Sequence, residues 1–524
     1  MTNSLEEVLQ AKVIFLIGSN TTWNHPVFGS MLKQAVKRRG AKLIVCDPRR
    51  IDLVDFADIW LQQRNGSDVA LLSGIQHVIL REGLEKAEYI RERTEGYEAY
   101  RKAIDTFTPE RVEQLTGVKV ADLEAVARLY AKSGVGALYY CMGITQHSHG
   151  VDNVKACVNL QLITGNLGVE GGGVNPLRGQ SNVQGACDMG ALPVVFTGYQ
   201  PVNNAAAVEK FSKYWNAKLS DKPGMTLTQM IPECGAKIRA LYILGENPMV
   251  SDPNLHHVEE GLRKLDFLVV QDIFLTETAA LADVVLPGVS FAEKRGTISN
   301  TERRVQLSHQ AIRPTGDVRQ DYEIIADLAE RFGQKFPRTP EALFQEIRDL
   351  TPAYAGITYD RLKEVGIAWP CPNVEHPGTR FLHAGKFSRG LGLFTPLEYR
   401  APAEEPDQEF DLVMSTGRIL QHFHTGSMSR RSAILDHLVS SGHVELHPED
   451  AKKRGIADGD RVKVSTRRGS IETAALVTDR VAPGSIFVPF HFAESAANVL
   501  TNDALDPVAK IPEYKVCAAR LERA

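Results

Sequence analysis

The 524-residue sequence has no run of apolar residues approaching the roughly 20 that a membrane-spanning helix needs, and no Cys-x-x-Cys pair anywhere. The first absence argues against a bilayer span. The second removes the usual ligand runs of an iron–sulfur cluster or a structural zinc. Cysteine is scarce and odd in number, with seven widely spaced residues, which argues against a disulfide framework and for a reducing, cytoplasmic setting. Basic charge is not in excess either: 60 Lys and Arg stand against 64 Asp and Glu, a net charge of −4, so a nucleic-acid partner is not expected. The opening MTNSLEEVLQ places acidic residues before the first short apolar run, the reverse of a secretory signal. Also missing are a G-x-S-x-G elbow and a G-x-x-x-x-G-K-[ST] loop, which leaves serine hydrolase and P-loop readings unsupported.

What is present is a long, 43% hydrophobic chain, enough for three or four domains. Residues 13–61 alternate short apolar runs (Val13 to Ile17, Lys42 to Val45) with a helical stretch from Met31 to Arg38, the grammar of a parallel sheet covered by helices. The pattern recurs. VIFLIGSN, KLIVCDP and FADIWL in the first copy correspond to LYILGENP, FLVVQDI and LADVVLP in residues 241–287. Gly18 precedes Asp47 by 29 residues and Gly245 precedes Asp272 by 27; Asp58 and Asp283 each follow 11 later. A turn glycine after one strand and an acid at the end of the next are the parts of a dinucleotide site, although neither copy is a full G-x-G-x-x-G and such turns are common in α/β proteins.

Residues 164–193, TGNLGVEGGGVNPLRGQSNVQGACDMGALP, form the densest stretch of glycine and amide side chains, suited to close backbone approach to a bulky ligand. Arg178 stands alone in it as a cation, between Asn175-Pro176 and Gly179-Gln180. A guanidinium fork matches a small carboxylate; a phosphate anchor or a structural clamp is the plainer alternative. Cys141 with Gln146-His147-Ser148-His149, and His422-Phe423-His424, are weak metal-site candidates without a third ligand at a defined spacing. A Pro- and acid-rich linker at 395–410 leads into a region of short strands and turns, read as a separate small β-barrel over 405–524.

GITQHSHGVDN (143–153), NLQLITGNLG (159–168), GVNPLRGQSNVQGACDMGALP (173–193), ADVVLPGVSFAEKRGTISNTERRVQ (282–306), GRILQHFHTGSMSRRS (417–432) and HPEDAKKRGIADGDRV (447–462) resemble the catalytic subunits of molybdenum or tungsten formate dehydrogenases. These are bis-molybdopterin guanine dinucleotide oxidoreductases, and the 173–193 segment is typical of their formate-specific branch. The resemblance runs the whole length of the chain. It implies an α/β fold with two related doubly wound, nucleotide-binding domains, 1–178 and 179–394 (with a small insertion about 291–319), followed by a double-psi type barrel at 405–524. It implies two molybdopterin guanine dinucleotides around one Mo or W.

Matching positions assign Gly18, Asn20, Asp47, Arg49, Gly66, Asp68, Met142 and Gln146 to one dinucleotide, and Gly245, Asn247, Gln271, Asp272 and Asp321 to the other. Gln180 also falls among the cofactor-binding positions, and Arg418, His422, Asn498 and Lys515 of the barrel lie near the pterins. Asn247 stands where the family often has an acid. Arg178 matches the arginine that orients formate, giving interconversion of formate and CO2 as the expected reaction.

Chains of this family normally begin with a cysteine-rich iron–sulfur segment and a metal-ligating Cys or selenocysteine beside a His. MTNSLEEV matches the segment just downstream of that point, so no iron–sulfur cluster and no protein metal ligand is expected on this chain. A split enzyme with an iron–sulfur and Cys- or selenocysteine-bearing polypeptide plus electron-transfer subunits, a shortened product, and a non-catalytic pterin-binding scaffold are the three readings that follow.

Overall fold

The computed structural model describes all 524 residues. The chain opens on five parallel strands: β1 (Val13–Ile17), β2 (Lys42–Cys46), β3 (Ile59–Leu61), β4 (Gly136–Tyr140) and β5 (Val174–Pro176), in the order β3-β2-β1-β4-β5. Helices α1 (Pro26–Arg39), α2 (Asp68–Arg81), α3 (Val120–Lys132) and α4 (Gly150–Ile163) connect and cover them. Every residue of β1 is fully buried, because alternate side chains enter two different cores: Val13, Phe15 and Ile17 pack in one, Ile14 and Leu16 in the other. That explains the continuous apolar run, which is the signature of a parallel strand covered on both faces. The strand order reverses between β1 and β4, and a crevice opens at such a point beyond the carboxyl ends of the strands.

Between Arg178 and Arg380 the repeat seen in the sequence reappears. A short helix α5 (Val183–Asp188) is followed by β6 (Ala240–Leu244), α6 (Leu255–Arg263), β7 (Phe267–Asp272) and β8 (Val284–Pro287), whose sheet order β8-β7-β6 reproduces β3-β2-β1. The correspondence extends to individual hydrogen bonds. Gly18 N–H donates to Cys46 O (3.0 Å) and Gly245 N–H to Gln271 O (2.9 Å). Asp58 accepts from Leu43 N–H (2.9 Å) and Asp283 from Leu268 N–H (2.7 Å), each aspartate stitching its strand to the preceding one. A small antiparallel sheet of β9 (Gly296–Ser299), β10 (Arg304–Ser308) and β11 (Ile367–Ala368) and a helix α7 (Asp321–Arg331) complete this stretch.

The tail closes into a six-stranded barrel: β12 (Leu412–Gly417), β13 (His443–Leu446), β14 (Arg461–Ser465), β15 (Ser470–Val477), β16 (Ser485–Pro489) and β17 (Cys517–Arg523), in the order β12-β16-β13-β15-β14-β17. Alternating burial along β15, with Ile471, Thr473 and Ala475 inward, gives the period-two pattern legible in the sequence. β13 and β17 lie outside the strands expected from the sequence: β13 is four residues long, too short to show a period although Gly442 and Pro448 frame it, and β17 is preceded by Tyr514-Lys515-Val516 and not by a Gly or Asn turn. The 164–193 stretch, read as a loop, contains β5 and α5; three and six residues are too short to show a period.

By contact density the chain forms two units. One comprises 1–177, 250–256 and 381–524, and so holds the first sheet together with the barrel; the other comprises 178–249 and 257–380. No helix is long and apolar enough to cross a membrane.

Candidate cofactor and substrate sites

Within the first unit, a cleft is lined by the turn after β1 (Gly18, Ser19, Asn20), the end of β2 (Asp47, Pro48, Arg49), Gly66 and Asp68 at the start of α2, Cys141 to Gly143 after β4, and Thr416 to Arg418, Phe487 and Lys515 of the barrel. Eight residues named from the sequence therefore meet around one space: Gly18, Asn20, Asp47, Arg49, Gly66, Asp68, Met142 and Arg418. Lys515 makes a ninth. Gln146, His422 and Asn498 do not line it.

The floor is made by backbone. Gly18 has φ +57°, and a Cβ there would lie 2.8 Å from the Gly143 carbonyl carbon. Glycine is required both for that conformation and for that approach.

The walls carry charge in poor solvent. Loss of water pushes the Asp47 carboxyl up to about 6 and the Asp68 carboxyl up to about 7, while it pushes Lys515 down to about 8. Lys515 Nζ donates to Thr416 O at 2.6 Å. Arg49 lies over the Phe487 ring (3.9 Å to the centroid) and near Trp23 (4.8 Å), and its Nε donates to Glu445 at 2.8 Å. That clamp holds its guanidinium at the rim.

His147 was weighed in the sequence only as a weak metal ligand. It lies in the cleft wall, 2% exposed, with Nε2 on Gly143 O (2.9 Å) and Nδ1 without a partner. Burial lowers its pKa to about 3, so its approach of 3.7 Å to Asp68 is that of a neutral ring and not an ion pair. Arg418, 8% exposed, likewise has a buried Nε without a partner. With Nε2 donating to a carbonyl, the neutral His147 ring leaves Nδ1 as an unsatisfied acceptor, whereas Arg418 Nε is an unsatisfied donor; both are costly in isolation, and a polar ligand that carries N–H groups as well as anionic oxygens would complete them. A pterin dinucleotide fits this donor set.

A second group stands in the other unit, at the carboxyl ends of β6 and β7. Gly245 takes φ +64° with open space around it, since a Cβ there would meet nothing within 4 Å. Gln271 Nε2 donates to Asp321 at the start of α7 (2.8 Å), and Lys294 Nζ donates to the other oxygen of Asp321 (2.6 Å). Asp272 turns onto the N–H of Ile273 (2.6 Å). Asn247 resolves its direction: its Oδ1 accepts from Thr278 Oγ1 (2.7 Å) and its Nδ2 donates to Glu277 (2.7 Å). An aspartate there would put two carboxylates together.

Of the His422-Phe423-His424 run, His422 has both ring nitrogens engaged within the protein. His422 uses Nδ1 on Ser429 Oγ (3.2 Å) and Nε2 on Val439 O (2.6 Å), and His491, invisible as a partner in the sequence, accepts from Ile419 N–H and contacts His424 O. No three His, Cys, Asp or Glu side chains gather as a metal-holding group. Asn498 donates to Val250 O (2.8 Å) and Ser251 O (3.0 Å), both within the same unit as the barrel.

Arg178 is half-buried in the second unit. Its N–H donates to Thr301 Oγ1 (3.0 Å) and its Nη1 to Cys187 Sγ (3.2 Å). Gln180 lies two residues on, half-buried. Sequence reasoning missed what holds α5 beneath the arginine. Asp188, 1% exposed, accepts from Gln184 (2.7 Å) and Tyr199 (2.8 Å) on one oxygen and from Tyr354 (2.6 Å) and Trp369 (2.7 Å) on the other. Burial and the neighbouring carboxylate raise both tyrosines, keeping them donors. Its partners are up to 181 residues away, so no local motif could reveal it.

Residues 1–331 match the family model described as molybdopterin oxidoreductase, and 412–518 match the molybdopterin dinucleotide binding domain. The chain belongs to the molybdopterin oxidoreductase family. Its relatives place it among the formate dehydrogenase alpha subunits: it is 49% identical to one from Methanococcus maripaludis and 50% identical to one from Methanocaldococcus jannaschii, over 100% of this chain and 78% of each relative. Formate dehydrogenase H of Escherichia coli is 39% identical, over 100% of this chain and 74% of the relative. Acetylene hydratase from Pelobacter acetylenicus shares the fold, with a TM-score of 0.77 at 20% identity over 99% of this chain and 81% of that one. A molybdopterin dinucleotide cofactor, which the family and domain matches support for the chain, is compatible with the polar groups that line the cleft.

Proposed function

We propose that the chain is the larger part of a formate dehydrogenase catalytic subunit, interconverting formate with CO2, a proton and two electrons. The observation that carries this is the identity of about half of the whole chain with formate dehydrogenase alpha subunits, over a stretch that includes Arg178 and the cleft residues. One dinucleotide is assigned to the cleft at Gly18, Asp47, Arg49 and Lys515, with Met142 and Gln146 beside it. The second is assigned to Gly245, Asn247, Gln271, Asp272 and Asp321; Gln180 is kept as a cofactor-binding position, and Arg418, His422 and Asn498 as positions near the pterins.

When bound, the Mo or W pterin centre accepts or donates the electron pair. The polypeptide positions the reactant. Arg178 offers the formate carboxylate a planar array of N–H donors, its backbone pinned by Thr301 and its Nη1 by Cys187, so that the C–H bond is presented in one orientation. Neutral His147 and the desolvated walls keep bulk water from the bound cofactor.

The domain division 1–178, 179–394 and 405–524 is kept as the assignment of two nucleotide-binding halves and a closing barrel. Polypeptide outside residues 1–524, carrying an iron–sulfur cluster and the metal's Cys or selenocysteine ligand, completes the enzyme and passes electrons to other subunits. Seven free thiols suit a cytoplasmic setting. Dye-linked formate oxidation together with Mo and W analysis, with and without that polypeptide co-expressed, tests the reading. Activity restored by it is the expected result; a pterin-loaded but inactive complex would favour the scaffold.

A further inference from the structure

Arg178 is held at two points, and both lead to the same carboxylate. Its Nη1 donates to Cys187 Sγ (3.2 Å), and Cys187 is the chain neighbour of Asp188 at the end of α5. Its backbone N–H donates to Thr301 Oγ1 (3.0 Å), in the turn that joins β9 to β10. That turn is fastened to Asp188 as well. Ser299, which ends β9, bonds through Oγ to the Tyr354 hydroxyl (3.1 Å), and that hydroxyl donates to Asp188 Oδ2 (2.6 Å). Trp369, another donor to Asp188, returns to the same turn, its backbone N–H donating to Arg303 O (3.1 Å). Arg178, Cys187, Asp188, Tyr354, Ser299 and Thr301 thus close a ring within one unit.

The strength of that ring is unevenly spread. A thiol is a weak acceptor and an arginine side chain has many rotamers, so Cys187 directs the guanidinium only where its own position is fixed. Its helix does not fix it alone: α5 has six residues, too few to stand without tertiary contacts. The opposite arm is preorganised. Asn300 Oδ1 accepts from the N–H groups of Glu302 (3.1 Å) and Arg304 (3.0 Å), and Ser299 N–H donates to Asn182 Oδ1 (2.8 Å) just before α5. Asp188 joins the two arms. It is 1% exposed, and its two oxygens accept from Gln184, Tyr199, Tyr354 and Trp369. An asparagine there would bring one acceptor oxygen to four donors, and an NH2 that faces donors.

We infer that Asp188 is a positioning residue for the substrate arginine: through Cys187 on one side, and through Tyr354, Ser299 and Thr301 on the other, it sets the direction in which the Arg178 fork meets the formate carboxylate. This role rests on the reading above that Arg178 receives formate. Misplacement of a reacting group by about 1 Å can cost roughly a hundredfold in rate, so the aim of the fork counts beside its charge.

The test is steady-state formate kinetics of the completed enzyme, with metal and pterin content measured on each sample. A second readout is the alkylation rate of Cys187 by iodoacetamide in the cofactor-free chain, followed by peptide mass spectrometry. Asp188→Asn should raise the formate KM by about tenfold, lower kcat by less, and speed Cys187 alkylation by at least about threefold. Ser299→Ala leaves Asp188 its four donors and opens the ring at one bond; it should raise KM by about threefold at an unchanged metal content. In the Arg178→Lys background neither change should alter kcat/KM by more than about twofold, because the group they aim is gone. Asp349→Asn is the control: this exposed aspartate also accepts from a tyrosine, Tyr214 (2.9 Å), and the variant should keep the parent's constants.

Losses that add in full to those of Arg178→Lys, or a Cys187 alkylation rate unchanged in Asp188→Asn, would make Asp188 a merely structural residue and overturn the role. So would parental KM in both single variants while Arg178→Lys is impaired, a result that leaves formate binding by Arg178 standing. Parental kinetics in Arg178→Lys, or a completed parent that does not oxidise formate, would remove that underlying reading and the role with it. Should Asp188→Asn fail to fold, Ser299→Ala decides by the same kinetic criteria.

Discussion

Gly18 and Gly143 meet backbone to backbone: a Cβ on Gly143 would lie 2.6 Å from Gly18 Cα, and one on Gly18 would lie 2.8 Å from Gly143 C. Gly143 N–H donates to Gly18 O at 3.1 Å, so the two turns at the strand-order reversal are fastened to each other beneath the cofactor cleft. Gly18→Ala should therefore destabilise the chain by about 2–4 kcal/mol, the sum of a left-handed φ and overpacking against rigid backbone. Denaturant titration measures it. Gly40→Ala has the same sign of φ (+72°) but open space, and should cost less; equal losses would show that the close approach is unimportant.

Asp68 gives a pH prediction. Its carboxyl titrates near 7 in the folded chain, against roughly 3.9 when unfolded. Between those values the unfolded chain has released a proton that the folded chain still holds, so this group lowers stability progressively as pH rises from about 4 to about 7 and by a constant amount above. Asn at this position keeps an acceptor for Gln63 and carries no charge. The cofactor-free Asp68→Asn variant should match its parent near pH 4 and exceed it at pH 8, by at most roughly 4 kcal/mol. His147, lowered to about 3, acts with the opposite sign: its contribution falls as pH drops below 6.5. Taking the difference between variant and parent cancels most of that. A difference independent of pH would contradict the assignment.

Arg178→Lys in the completed enzyme should raise the formate KM at least tenfold and lower kcat, because an ammonium cannot reproduce the planar fork. Cys187→Ala removes the Nη1 contact while keeping the charge, and should raise KM with a smaller effect on kcat. Steady-state kinetics at fixed pH separate the two. Unchanged constants in Arg178→Lys would remove that residue from the reacting site.

Asp188→Ala should cost about 3–5 kcal/mol, since it leaves Gln184, Tyr199, Tyr354 and Trp369 donating to nothing in a buried space. Thermal unfolding monitored by tryptophan emission reports it directly, because Trp369 Nε1 is one of the four donors. A loss below about 1 kcal/mol would mean that the network relaxes around water.

Much of this architecture was readable from periodicity. The twin repeat emerged because two buried parallel strands, a turn glycine and a stitching aspartate recur at nearly equal spacing, and Asp58 and Asp283 make the same bond. Gly18 and Asp47 stand out through the repeat spacing, Arg49 and Arg418 through the family resemblance, and all four line one cleft. His147, Phe487 and the Asp188 cluster were out of reach for a common reason. Their significance lies in who surrounds them, and their neighbours come from distant strands and helices. β13 escaped because four residues are too few to show a period, and both strands find their partners across the closed barrel, His443–Leu446 beside Ala474–Val477 and Cys517 beside Met414.

The central claim is that this chain houses a group-six pterin centre with Arg178 set to receive formate. The most direct measurement is the Mo, W and pterin content of the chain purified with its completing polypeptide, taken alongside formate-dependent dye reduction by the same sample. The account predicts one metal atom and two pterin guanine dinucleotides per chain, with reduction that Arg178→Lys impairs without lowering the metal content. A well-folded complex free of both pterin and metal would contradict it.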